Sequence, residues 1–223
     1  MIFNMTDPII SRRPEFTYTG TSTLIDDGKG NWRIKFLTSG VFTPVKDMLV
    51  DVFLVGGGAG GSYDIFPNEK PGGGAGYTTT TTSVQLTAGT AYDIVVGAGG
   101  AKAAAGGKSS AFGSTAARGN AGSTYGGNGG SGGGGRNGGE GGVDGANGGG
   151  TNGGTGQGTT TREFGESTGT LYATGGGSSK STTAGQSGDA NTGDGGSGYQ
   201  GGSAAGTGGS GIVIIRKHKE ATA

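Results

Sequence analysis

The apolar residues of this chain gather at its two ends, in patterns that predict β-strands. "FTYTG" near residue 16 and "WRIKFLTSG" from Trp32 alternate bulky and polar positions, and "LVDVFLV" from Leu49 is an almost unbroken apolar run. Period-two alternation marks a strand with one buried face, and an unbroken run suits a strand covered on both. "SVQLTAGTAYDIVVG" from Ser83 places Val84 and Leu86, then Tyr92, Ile94 and Val96, at alternate positions around the turn-forming "TAGT". That pattern predicts a hairpin with one buried face. "GIVIIRK" sets four β-branched residues, Ile212 to Ile215, in a row, and the simplest arrangement pairs or packs this strand with "VDVFLV".

Between these ends the pattern changes to one of glycine. Of the 59 glycines, 45 lie between Gly97 and Gly211, and from Gly126 the chain divides as GGN GGS GGG GRN GGE GGV, six triplets each led by glycine. A period of three matches neither the helix nor the strand, but it does match a threefold polyproline II type helix. Ordering such a segment costs about 1–2 kcal/mol per residue, glycine most of all. Between residues 119 and 158 the only sizeable apolar side chains are Tyr125 and Val143, so the backbone itself must supply the offset. Polyproline II helices make no internal hydrogen bonds, which leaves every N–H and C=O free to bond sideways. A collagen helix is the other threefold option, but no proline follows Pro71. The expected fold is therefore mainly β: a small β-sandwich-like base carrying a long glycine-rich insert that forms a polyglycine II helix bundle. The division expected is residues 1–31 as an N-terminal attachment segment, 32–96 as base and hairpin, 97–211 as the glycine-rich region, and 212–223 as the returning strand and tail.

Charge and composition remove several classes of function. Sixteen basic residues balance sixteen acidic ones, so the electrostatic footprint of a nucleic-acid or anionic-membrane binder is missing. There is no cysteine, hence no disulfide framework and no thiolate metal site. No stretch is long and apolar enough for membrane insertion to be expected, and "MIFNMTDPIISRRPEF" lacks the basic start and apolar run of a secretory signal.

Familiar motifs fail on inspection. Gly56, Gly58 and Gly61 satisfy a dinucleotide-binding G-x-G-x-x-G, but the chain continues as "SYDIFPNEKPGGGAGY", not as the helix whose N-terminus must face a pyrophosphate. A phosphate loop ending at Gly107, Lys108 and Ser109 needs glycine where Lys102 stands. In "SGDANTGDGG", Gly193 occupies the place of an oxygen ligand in a calcium loop. His218, the single histidine, reads as a solvated tail residue, and Glu163 and Glu166 read as solvated acids of a polar loop. The expectation is no enzyme, no cofactor and no metal. "TTTTT" at Thr78 to Thr82 would show threonines on both faces of a strand, which leaves an ice-binding array as a minor alternative. The remaining candidates are isolated aromatics and one arginine: Tyr63, Phe66, Tyr125, Arg136, Phe164, Tyr172 and Tyr199. On a rigid platform they suit stacking against a sugar or protein loop, and equally suit plugging gaps.

"WRIKFLTSGVFTP", "VDVFLVGGGAGG", "PGGGAGYTTT", "AYDIVVGAGG", "GGKSSAFG" and the terminal "GGSGIVIIR" together resemble the glycine-rich domain of phage and prophage tail and tail-fibre proteins, over roughly Trp32 to Arg216. Within that class, tip adhesins fold such regions as polyglycine II bundles whose connecting loops touch the host. The resemblance implies a virion protein whose partners are other virion proteins and a host surface glycan or protein. A homo-oligomer is left open. The alternative function is purely structural, as a baseplate, connector or head-decoration component.

Overall fold

The computed structural model describes residues 13–62, 70–123, 125–135, 138–141, 145–150, 152–154, 161–178, 184–199 and 205–219. The strands among these described residues are β1 (Phe16–Tyr18), β2 (Ser22–Gly28), β3 (Asn31–Phe36), β4 (Gly40–Pro44), β5 (Met48–Val55), β6 (Thr78–Leu86), β7 (Tyr92–Ile94), β8 (Ser109–Ala111), β9 (Ser114–Ala116) and β10 (Ile212–Lys217). They make a five-stranded sheet in the order β2-β3-β10-β5-β6, a three-stranded sheet β1-β4-β7 and the pair β8-β9. Every pairing between these strands is antiparallel. The fold is mainly β, as expected.

The apolar runs follow from where β5 and β10 sit. They pair from Ile212 opposite Val55 to Lys217 opposite Val50, in the interior of the sheet, and each face is covered by something different. On one face Trp32, Ile34, Phe36, Val50, Val52, Leu54, Val213 and Ile215 share a core with Phe42 and Ile94 of the smaller sheet and Ala111 and Ala116 of β8-β9. Aromatic edges lock it, with Phe36 and Phe42 centred 5.3 Å apart and nearly perpendicular. On the opposite face Phe53, Val55, Ile212 and Ile214 are covered by Ala75, Phe164, Tyr172 and Ala173 from the glycine-rich part. Two covered faces leave no position for a polar residue in either strand until Asp51 and Arg216, which stand opposite each other beyond the apolar stretch.

Two sequence expectations are corrected here. β6 and β7 do not form a hairpin: β6 pairs with β5 and β7 with β4. The turn around Gly89, whose φ is +72°, carries the chain from one sheet to the other. Leu86 and Ile94 still bury their side chains in one core, but from strands of different sheets. The boundary drawn between residues 31 and 32 falls inside the β2-β3 hairpin, and β1 pairs with β4. Residues 13–31 are therefore part of the base; residues 1–12, the first part of the supposed attachment segment, lie outside the described residues.

The glycine-rich segments are joined to one another through their main chains. In residues 56–62 the donors Gly56, Ala59 and Ser62 go to the carbonyls of Tyr77, Gly74 and Pro71; Gly57 and Gly60 go to Gly107 and Ala104; Gly58 and Gly61 go to Gly209 and Gly206. Every third amide thus meets the same neighbour. Residues 72–77 repeat the pattern, with Gly72 and Ala75 bonded to Gly134 and Ser131, Gly73 and Gly76 to Gly196 and Gly193, and Gly74 and Tyr77 to Asn120 and Ala117. These segments pass so close that a Cβ on Gly58 would overlap the carbonyl of Asp194, and one on Gly76 the carbonyl of Gly56.

Candidate functional site

At the far end of the second covered face, where the apolar cross-strand pairs give way to charged ones, a groove of about 440 Å³ opens between β3, β10 and the segment 161–172. Its position follows from strand alternation. Arg33 lies on the face of β3 opposite to Trp32 and Ile34, and Arg216 continues the row Ile212, Ile214 on β10; the two arginines are register partners. The segment 161–172 is clamped by its own ends, through the isolated bridge between Arg162 and Leu171 and the bond from the Tyr172 amide to the Thr161 carbonyl. Between them a single 3-10 turn, Glu163–Gly165, holds Phe164 at φ +57° and presses its ring against Phe53, 5.9 Å between centroids.

The groove is walled by mutually paired charges. Glu163, 2% exposed, takes an ion pair from Arg33 and one from Lys35 at 3.2 Å, and Tyr172 donates its hydroxyl at 3.2 Å. Arg33 also grips both oxygens of Asp27, at 2.8 Å each. Arg216 lies over the Phe164 ring at 4.2 Å, a cation-π contact, while its Nη1 reaches Glu166 at 2.5 Å and its Nε reaches Asp51 at 3.0 Å. Lys219 adds a second cation to Glu166 at 2.8 Å. The Lys219 hydrogen bond, outweighing partial burial, leads the causes that hold Glu166 below the usual carboxylate range. Asp51 is 1% exposed. Burial alone would push its carboxyl up, but hydrogen bonds from His218, Arg216 and the Ser83 amide outweigh burial and hold it down. For Tyr172, burial first and the Glu163 carboxylate second push the phenol well above its ordinary value.

Of the six aromatics and one arginine named as ligand-binding candidates, the structure brings two to this site, and in a different role. Phe164 and Tyr172 are 8% and 4% exposed: both pack on Phe53 and plug the space between sheet and insert, so their ring faces are not free to stack on a ligand. Tyr125 is 50% exposed and stands in the glycine-rich part. Tyr199 is partly buried, its amide bonded to the Ser62 carbonyl. Neither lines the groove. Tyr63, Phe66 and Arg136 lie outside the described residues. The reading of Glu163 and Glu166 as solvated loop acids is overturned for Glu163 by its burial; Glu166 is part-exposed and paired with Arg216 and Lys219. His218 is likewise no solvated tail residue, because its ring is held between Asp51 and Ser83. The available signal was "TREFGES": an aromatic flanked by charges inside an insert built largely of glycine and other small residues. On β6, Thr79 donates to the Thr115 carbonyl and Thr81 bonds Ser114, so one face of the threonine run is engaged with β8-β9.

A family model for a glycine-rich domain matches residues 37–218. The chain belongs to that glycine-rich domain family. The match begins just after β3 and ends just after β10, so it takes in β4 to β10 and all the glycine-rich segments between them. No curated protein matches this chain.

Proposed function

We propose that this protein is a virion component of a phage tail or tail fibre, in which a β base supports a polyglycine II layer and the groove between them recognises a saccharide of the host surface. The resemblance of the whole domain to tail proteins supports the setting. The period of three in the main-chain bonds supports polyglycine II packing, because a threefold helix presents its amides in three directions. The observation that carries the ligand class is the wall of the groove. Fixed guanidinium and carboxylate groups, already neutralising each other, offer planar donor and acceptor pairs to vicinal hydroxyls without favouring a strongly charged ligand. Recognition is binding only: the groove acids are ion-paired and perform no chemistry.

The test is binding of the purified chain to a glycan array and to susceptible cells, compared with Glu166→Gln. Glu166 is part-exposed, so this change should leave the fold intact and weaken saccharide binding about 10-fold, the loss expected for one charge-assisted hydrogen bond. Absence of binding to any glycan or cell, with stoichiometric retention in purified particles, would decide for a purely structural virion component instead.

A further inference from the structure

Next to Arg216, the side chains of Ser83 on β6, Asp51 on β5 and His218 just after β10 line up. β5 and β6 slip register between Val50 and Val52, so Thr82 and Ser83 both stand opposite Asp51, and Ser83 takes the extra residue's place at φ +57°. A bulge of this kind re-aims a side chain. Here it puts Ser83 Oγ 3.2 Å from Nε2 of His218, while His218 Nδ1 is 2.6 Å from Oδ1 of Asp51. His218 follows β10 directly, and its amide donates to the Leu49 carbonyl at 3.0 Å, which anchors the backbone that carries the ring. Asp51 is held as an anion by Arg216 on its other oxygen and by the Ser83 amide at 3.2 Å.

The tautomer follows from the partners. A carboxylate only accepts, so Nδ1 carries the hydrogen, and in the neutral ring Nε2 is left with a lone pair facing the serine hydroxyl. That is the order of roles in a serine nucleophile, its general base and the group that orients the base, which are recognised by geometry and not by position in the chain. A serine in the left-handed region, exposed to solvent and bonded to the one nitrogen able to take its proton, is more than a tie between strands requires.

We propose that Ser83, His218 and Asp51 form a nucleophilic serine centre that cleaves small O-acyl esters, with Ser83 and His218 as the catalytic residues and Asp51 as the positioning residue. Ser83 Oγ bonds to the acyl carbon as its proton passes to His218 Nε2. The ester C–O bond then breaks and the alcohol leaves with that proton. Water attacks the acyl-serine, gives a proton to His218, and releases the carboxylic acid as Ser83 Oγ takes the proton back. Because Ser83 is exposed and is not among the residues that line the groove, the acyl group it suits is short. This inference departs from the expectation of a chain without enzymatic activity, and it stands whether or not the groove binds a saccharide.

The full chain is tested with p-nitrophenyl acetate and with a fluorophosphonate probe read by peptide mass spectrometry. The expected result is a probe adduct on Ser83 and ester hydrolysis that falls about 10²- to 10⁴-fold in Ser83→Ala and in His218→Ala, the usual contribution of a positioned base. Thermal melting confirms that each variant is folded; Ser83→Ala changes only an exposed hydroxyl, so it serves even if the His218 variant is unstable. Equal hydrolysis by the native chain and folded Ser83→Ala overturns the proposal. So does an adduct on Ser83 that forms at the native rate in folded His218→Ala.

Discussion

The β base and the glycine-rich insert meet along β5, β10 and the segments that follow and precede them, yet they are held by different parts of the chain. In the base, specificity resides in side chains: fully buried Phe36, Phe42, Phe53 and Leu54 each contribute roughly 1.5–3 kcal/mol by leaving water. In the insert, the side chain is what must be absent. A donor such as Gly58 reaches the carbonyl of Gly209 at 2.9 Å and its own carbonyl receives the amide of Gly100 at 2.8 Å, while a Cβ on it would lie 2.0 Å from the Asp194 carbonyl oxygen. The base tolerates exchange of one apolar group for another of similar volume, because shape and burial are what count. The insert tolerates no addition where its glycines touch a neighbouring main chain, and does tolerate one where a glycine faces open space.

That contrast is broken most severely by Gly76→Ala. The new methyl would meet the Gly56 carbonyl, which is backbone, so the strain has no flexible side chain to relieve it. Loss of more than about 4 kcal/mol, or failure to fold, is expected. Gly149→Ala has nothing within 4 Å of its Cβ and should change stability by no more than about 0.5 kcal/mol. Thermal melts of the two variants side by side are the measurement. If both behaved alike, close main-chain contact would not be what orders the insert.

The same contrast explains which features the sequence discloses. Strands of the base were legible at Phe16, Trp32, Leu49 and Ile212 because burial imposes a pattern on side chains, and the pairing of β10 with β5 followed from two apolar runs needing cover on both faces. The course between β6 and β7 was not, since "TAGT" makes the same local turn whether the strands then pair or part into two sheets. For the insert, the triplets signalled a period of three but not which segments lie side by side, because all glycines look alike to a neighbouring carbonyl. The groove was hidden for a further reason. Glu163 is joined to Arg33 and Lys35 across more than a hundred residues, and an acid in a polar loop carries no mark of a partner so distant. Phe164 and Tyr172 were visible as exceptions in a glycine-rich stretch, but whether an exception faces inward or outward depends on Phe53 lying beneath it.

Charge sharpens the comparison, with Asp51 in the base first. Its carboxylate is depressed in the folded state, so it contributes stability at neutral pH that is lost as pH falls from the unfolded-state value through the lower folded one. Asp51→Asn strips Arg216 and His218 of their buried partner, and a loss of about 3–5 kcal/mol is expected at pH 7. Below the usual carboxylate range, where native Asp51 itself becomes protonated, the gap between variant and native protein should narrow. Urea unfolding at pH 7 and pH 3 checks both the size and the trend. A gap that widened in acid would mean that Asp51 is not held as an anion.

Asp194, in the insert, carries the opposite sign. It sits among glycine segments where its Oδ1 accepts the Thr174 amide at 2.8 Å, but burial, with Asp189 adding to it, raises its carboxyl above the ordinary value. A raised folded-state value means that the ionised form weighs against folding at neutral pH, and that this cost is relieved as pH falls through the folded value toward the unfolded one. Asp194→Asn keeps an oxygen for the Thr174 amide and removes the charge. It should therefore raise stability at pH 7 by up to about 1 kcal/mol and have least effect in acid, where the native side chain is already neutral. The same pair of urea titrations decides it. Destabilisation at pH 7 would show that the carboxylate is needed as an anion, and that the insert, like the base, relies on side-chain charge.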